Sequence, residues 1–228
     1  MHMAGTLAHE LRQTETGAAF ARTAIDAVRA EFGVLEAELV RTDHGAELRT
    51  VPDVVPADVA SSVVNLWLVA CRLEQLEHDA SHDPLTGLLN RRSFDRKLAE
   101  AMAGAERYGW TFALVLVDLD GLKAINDEHG HSVGDAVLRT FGCELSRSVR
   151  LEDAAARLGG DEFALLVMEA EAARVTELLE RVTTLVNVSL SGVRVAMSAG
   201  VAHVPVDGTN AEALYRLADE RLYLSKRA

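Results

Sequence analysis

Two cysteines in 228 residues, Cys71 and Cys143, are too few for a disulfide framework, so a reducing, cytoplasmic setting is the expectation. Lysine is almost as scarce, since only Lys97, Lys123 and Lys226 interrupt a basic set otherwise made of arginine. A lysine inside a motif therefore points to a need for a compact point charge. Long apolar runs are missing too. The longest, Val63 to Cys71, is broken by Asn65 and falls far short of the roughly 20 residues that cross a bilayer. Met1 to Thr6 shows no basic stretch leading into an apolar core, and no secretory signal is read there. Positive charge is in deficit, with 23 Lys and Arg against 35 Asp and Glu, a formal charge of −12. A clamp for DNA or RNA is excluded on that ground, because binding a polyanion through counterion release needs a positive surface.

What is present is the composition of a globular chain, 49% hydrophobic and 25% charged. At about 100–200 residues per domain, this length makes one domain with a large appendage or two small ones. Charge does not mark the boundary, since 6 basic and 13 acidic residues precede position 81 and 17 and 22 follow it. Turn chemistry does: Ser81-His82-Asp83-Pro84-Leu85-Thr86-Gly87 interrupts helical patterning on both sides. The expected division is 1–80 and 81–228.

In the first part, Leu11, Ala18, Ala21, Ile25, Val28 and Phe32 give one amphipathic helix from about Ala8 to Phe32. Val34 to Arg41 and Ala46 to Val51 read as a hairpin around Thr42-Asp43-His44-Gly45. A second helix from Pro56 to Ala80 carries Val59, Val63, Leu66, Ala70 and Leu73 as an a/d seam. About two heptads leave both packing on its own domain and dimerisation open.

In the second part, a helix from Ser93 to Arg107 is read with Ser93 as its cap, followed by a buried strand from Thr111 to Val117 that ends in Asp118-Leu119-Asp120. Helices follow over Leu122 to Glu128 and Gly134 to Leu151, then a strand pair, Ala154 to Leu158 and Glu162 to Met168, turning at Gly159-Gly160. A helix from Ala170 to Leu185, a strand from Val193 to Val204 and a helix from Asn210 to Lys226 complete the order. Strands joined both by helices and by a hairpin predict an α+β fold, a mixed or antiparallel central sheet covered by helices, preceded by a small helix-hairpin-helix region.

Two acidic clusters stand at strand ends. Asp118 and Asp120 are two apart and share one side of the pleat if the strand continues through them, while Asp161 and Glu162 sit at the exit of the Gly-Gly turn. Oxygen donors in small number, with room for water and phosphates, suit a hard divalent cation; solvated turn carboxylates are the other reading. An EF-hand is excluded because glycine comes too early in Asp118-Leu119-Asp120-Gly121. No Gly-x-x-x-x-Gly-Lys-Ser/Thr loop occurs, which excludes a P-loop.

The run from Asp118 through Lys123, Asn126, His131 and Gly134 to Asp135, followed by Arg157-Leu158-Gly159-Gly160-Asp161-Glu162-Phe163, closely resembles the GGDEF family of diguanylate cyclases. His82-Asp83-Pro84-Leu85-Thr86-Gly87-Leu88-Leu89-Asn90-Arg91 matches its beginning; Ser198-Ala199-Gly200-Val201-Ala202 and Ala218 to Lys226 match its end. The resemblance implies a polymerase-palm-like sheet, Mg²⁺ with Mn²⁺ as an alternative, and condensation of two GTP to cyclic di-GMP with release of pyrophosphate in a homodimer. Carried over by position, Asp118, the Leu119 carbonyl and Asp161 would hold metal. Asp161 would also accept the proton, Glu162 would share the catalytic work, and Lys123 and Lys226 would meet phosphates. Asn126 and Asp135 would read guanine, and His131 would contact nucleotide or brace the turn between helices. Arg150-Leu151-Glu152-Asp153 matches the family's inhibitory product site, with Arg150 and Asp153 as its ligands and Arg174 or Arg181 left open as a third group. Leu122 replaces a common phenylalanine, and the Gly-Arg-Asn often found after the last helix does not follow Lys226. The alternative from another class is a regulator that only binds GTP or cyclic di-GMP. Intact Asp118, Lys123, Asn126, Asp135 and acidic hairpin argue against it.

Overall fold

The computed structural model describes residues 17–43, 45–170, 172–190 and 193–227. The predicted helical stretch over residues 8–16, with Leu11, and His44 in the hairpin turn lie outside them. The chain divides into two compact units at the Ala80–Ser81 junction.

The N-terminal unit holds α1 (Gly17–Phe32), an antiparallel hairpin of β1 (Glu36–Thr42) and β2 (Gly45–Val51), and α2 (Ala57–Ser81). Phe20, Ala24 and Val28, spaced by four along α1, make its core with Val63 and Ala70 of α2. The centre of the seam read from the sequence therefore faces inward. Its last member, Leu73, does not: it is 50% exposed, alongside Val69 and Leu76 at 48% and 47%.

The second unit contains β3 (Leu89–Asn90), α3 (Arg91–Tyr108), β4 (Phe112–Asp120), α4 (Leu122–His129), α5 (His131–Ser148), β5 (Ala154–Gly159), β6 (Glu162–Met168), α6 (Ala172–Ser189), β7 (Ala196–Val204) and α7 (Ala211–Ser225). Its sheet runs β3-β5-β6-β4-β7, with β3 and β5 parallel and the other neighbours antiparallel. This is the mixed sheet expected, with β3 added, which at two residues is too short to show a period.

Alternation along β4 distributes the core over both faces of the sheet. Phe112, Leu114 and Leu116 meet Phe94 and Leu98 of α3 and Leu214 and Ala218 of α7 on one face. Val115, Val117 and Leu119 meet Phe141 of α5 and Val182 of α6 on the other, where Phe141 packs edge-on against Phe163 at 4.7 Å. Such aromatic pairs contribute about 0.5–1.5 kcal/mol beyond the area they bury.

Several boundaries differ from those read in the sequence. The cap of α3 is Asn90, whose side chain accepts from the Ser93 N–H, and Ser93 itself is buried. The next differences concern α5 and α6: α5 starts at His131 because Gly134 is accommodated inside it, and α6 runs on to Ser189. At the hairpin, Gly159 pairs with Glu162, so Gly160 and Asp161 form the loop and the ladder shifts register between Arg157 and Gly159. Gly160 has φ 56, a left-handed conformation that suits glycine at a tight turn.

Candidate active site

The acidic residues lie where the apolar alternation of β4 ends. Since β4 continues to Asp120, Asp118 and Asp120 fall on the same face as Leu116, toward α3 and α7. Asp118 is 8% exposed and in register with Glu162 on β6 and Ser198 on β7. The Ser198 hydroxyl sits at 3.0 and 3.1 Å from the two Asp120 oxygens and fixes that carboxylate. Asp161 reaches the group through the hairpin loop, its carbonyl accepting from Leu119 N–H at 3.1 Å.

Lys226 follows the last turn of α7, and its Nζ stands 2.7 Å from Asp118 Oδ2. The hydrogen bond to Asp118 raises the ammonium's pKa, with Asp118, Asp161 and Asp120 adding attraction against the opposing effect of burial. Of the three, Asp118 is the one in contact with the ammonium. Carboxylate and carbonyl oxygens such as those of Asp118, Asp161 and Leu119 are the hard donors that Mg²⁺ or Mn²⁺ takes. No group of three or more His, Cys, Asp or Glu side chains is assembled as a metal cage among the described residues.

Glu162 is drawn elsewhere. Its Oε2 lies 3.5 Å from Arg91 Nη2 on α3, and Arg91 Nε donates to the Leu158 carbonyl at 3.4 Å. The loop itself is steadied by Arg157, whose Nε and Nη2 donate to the Gly160 carbonyl at 3.0 and 2.7 Å. Through Nη1 the same guanidinium meets Asp83 at 3.2 Å, and Asp83 also accepts from the Thr86 N–H and hydroxyl. Arg91, Arg157 and Ser198 have signals in the sequence only as motif members, because their partners lie far away along the chain.

Lys123 is exposed on the first turn of α4, a helix capped by Gly121 with no side-chain hydrogen bond. Its leading N–H groups remain available to an anion. Asn126 lies on the same helix with Oδ1 buried and unpartnered. Asp135 on α5 is half-buried, with Arg139 at 3.6 Å, and His131 is exposed at the start of that helix.

Arg150 and Asp153 close the turn before β5. Arg150 N–H donates to Asp153 Oδ2 at 2.9 Å, while the Arg150 guanidinium stays exposed. Asp153 also accepts from Met168 N–H and from Arg174 Nη2, both at 2.9 Å, and its side chain is 0% exposed. Arg174 is therefore committed to Asp153. Arg181 is exposed and donates to the Ser148 carbonyl, two residues before Arg150.

Residues 80–228 match the family described as "Diguanylate cyclase, GGDEF domain". The chain belongs to the GGDEF family. It is 40% identical over 151 residues to the bifunctional diguanylate cyclase/cyclic di-GMP phosphodiesterase MucR of Pseudomonas aeruginosa, covering 64% of this chain and 22% of MucR. It is 36% identical over 161 residues to the diguanylate cyclase DgcS of Shewanella oneidensis, covering 70% of this chain and 54% of DgcS. The chain thus spans less than two thirds of either relative. The structure of the coiled coil and GGDEF domain of DgcB from Caulobacter crescentus, in complex with c-di-GMP, aligns with TM-score 0.65 at 33% identity over 75% of this chain and 93% of that one. No helix among the described residues is long and apolar enough to cross a membrane.

Proposed function

We propose that this GGDEF protein is a diguanylate cyclase that joins two GTP molecules into cyclic di-GMP with release of two pyrophosphates. The observation that carries the reading is the sheet end where Lys226 Nζ stands 2.7 Å from Asp118, with Asp120 two residues on and the Asp161 loop bonded to Leu119 N–H, beside the start of α4 that lacks a side-chain cap. In each half-reaction a 3′-oxygen bonds to the α-phosphorus of the other GTP as the bond to pyrophosphate breaks. Asp161 takes the hydroxyl proton. Asp118, Asp161 and the Leu119 carbonyl would hold a divalent cation, which when bound supplies neutralisation of phosphate charge. Lys123, Lys226 and the α4 N–H groups meet the phosphates. Asn126 and Asp135 read guanine through hydrogen bonds that adenine leaves unpaired. His131 lies at the mouth of the same helix pair, and Glu162 aligns the hairpin through Arg91. GTP is a cytoplasmic nucleotide, which suits a cytoplasmic setting.

Two such half-sites must face each other, so we infer a homodimer. Val69, Leu73, Leu76 and Ala80 alternate by four, three and four along α2, an exposed a/d series turned away from the buried Val63 and Ala70. Region 1–80 then serves dimerisation and regulation, and 81–228 catalysis. Product inhibition is read at Arg150, with Arg181 as the second guanidinium and Asp153 fixing the turn.

The test is incubation of the purified protein with GTP and Mg²⁺, followed by chromatography of the nucleotides. Cyclic di-GMP and pyrophosphate are expected, and Asp118→Asn should lower turnover by at least about 100-fold, the scale of losing one electrostatic contact to the transition state. Binding of GTP without product, at concentrations where the protein is dimeric, would favour the regulator instead.

A further inference from the structure

Gly134 lies inside α5, buried, in a backbone conformation open to any residue. A glycine there costs about 1 kcal/mol of helix stability relative to alanine. Neither a turn nor a cap accounts for it. Space does: a Cβ at this position would stand 1.9 Å from Asn126 Oδ1, 2.9 Å from its Cγ and 3.3 Å from its Nδ2. The amide of α4 is thus packed directly onto the bare Cα of α5. Asn126 Oδ1 is also the single buried side-chain polar atom without a hydrogen-bond partner among the described residues. A buried amide with an unpaired end has no internal bond to fix its direction, so packing must do so.

We propose that Gly134 is a positioning residue for nucleotide recognition: its missing side chain is the seat that sets the Asn126 amide toward the guanine. The seat is a matter of shape, so it holds whichever end of the amide lies against Gly134. The next residue is Asp135, so the seat and the second base-reading group are consecutive on one helix. This inference rests on the reading of Asn126 as a guanine contact.

The experiment is a double-mutant cycle with Gly134→Ala and Asn126→Ala, read by calorimetric binding of 3′-deoxy-GTP with Mg²⁺ and by thermal unfolding. The analogue lacks the attacking hydroxyl and cannot condense. Gly134→Ala alone should weaken binding by about tenfold, the equivalent of losing one hydrogen bond to a ligand, and lower the melting temperature. In the Asn126→Ala background, the same change should alter binding by less than about twofold and raise the melting temperature, because the collision is gone and helix propensity is gained. Equal losses in both backgrounds, or none in either, would overturn the proposal. If Asn126→Ala binds as tightly as the wild type, the guanine reading of Asn126 fails and the positioning role fails with it. If Asn126→Ala weakens binding but Gly134→Ala does not, only the role of Gly134 is lost.

Discussion

Asp83 shows how one carboxylate ties the opening turn of the second unit to the signature hairpin. Burial pushes its pKa up, but the Thr86 hydroxyl and N–H and then Arg157 outweigh that effect and hold it below the ordinary 3.8. A folded-state pKa that is lowered contributes stability above the unfolded value and loses it as pH falls through the folded one. Asp83→Asn should therefore cost about 1.5–3 kcal/mol at pH 7, as expected for hydrogen bonds to a charged group. The difference from wild type should shrink as pH drops below 3.8, which urea unfolding across pH measures. A difference that stays constant down through the acid range would count against the assignment. At the turn before β5, the exposed Arg150 predicts a separable effect. Arg150→Ala should relieve product inhibition while leaving the initial rate unchanged, since Arg150 supports the turn through its backbone N–H, which the variant keeps. Asp153→Ala should do more damage, because it removes the acceptor of the Met168 N–H and leaves the Arg174 charge with only the Met168 carbonyl.

Among the elements, α3 offers the cleanest energetic statement. Asn90 accepts from Ser93 N–H at 3.0 Å, and Asn90→Ala should lower stability by about 1 kcal/mol, seen as a lower urea midpoint at constant slope. The sequence pattern points to Ser93 as the cap because serine precedes an apolar period, yet Asn90 lies one turn earlier and Ser93 is itself inside the helix. Strands are more legible than caps. A period of two carries β4 through Asp120, which puts Asp118 and Asp120 on one face before any partner is known. What spacing does not contain is register. Opposition of Asp118 to Ser198, the reach of Ser198 to Asp120, and the capture of Glu162 by Arg91 follow from strand pairing and helix docking between distant segments. The same limit applies to α5, where Gly134 reads as a breaker unless the Asn126 amide packed against it is known.

At the scale of the whole molecule, a chain of charge −12 is proposed to handle an anionic nucleotide and to do so in pairs. Both demands would fall to local features rather than to net charge, Lys226 at the acids and an apolar stripe on α2. With Leu73 and Ala80 at a, and Val69 and Leu76 at d, Arg72 falls at g and Glu77 at e. In a parallel pair each g residue faces the e residue five positions on in the other helix, so Arg72 would meet Glu77 of the second copy. An antiparallel pair would not match these charges. Leu73→Glu should place two carboxylates in the seam and shift the protein from dimer to monomer by sedimentation at micromolar concentration, with specific activity falling in parallel. Arg72→Glu should weaken the dimer by about tenfold or less, because rim charges are partly solvated. Adding Glu77→Arg to it reverses both charges and should restore association. Failure of the double variant to recover, with Leu73→Glu still dimeric, would mean that the two copies meet through another face and that this stripe serves a different partner.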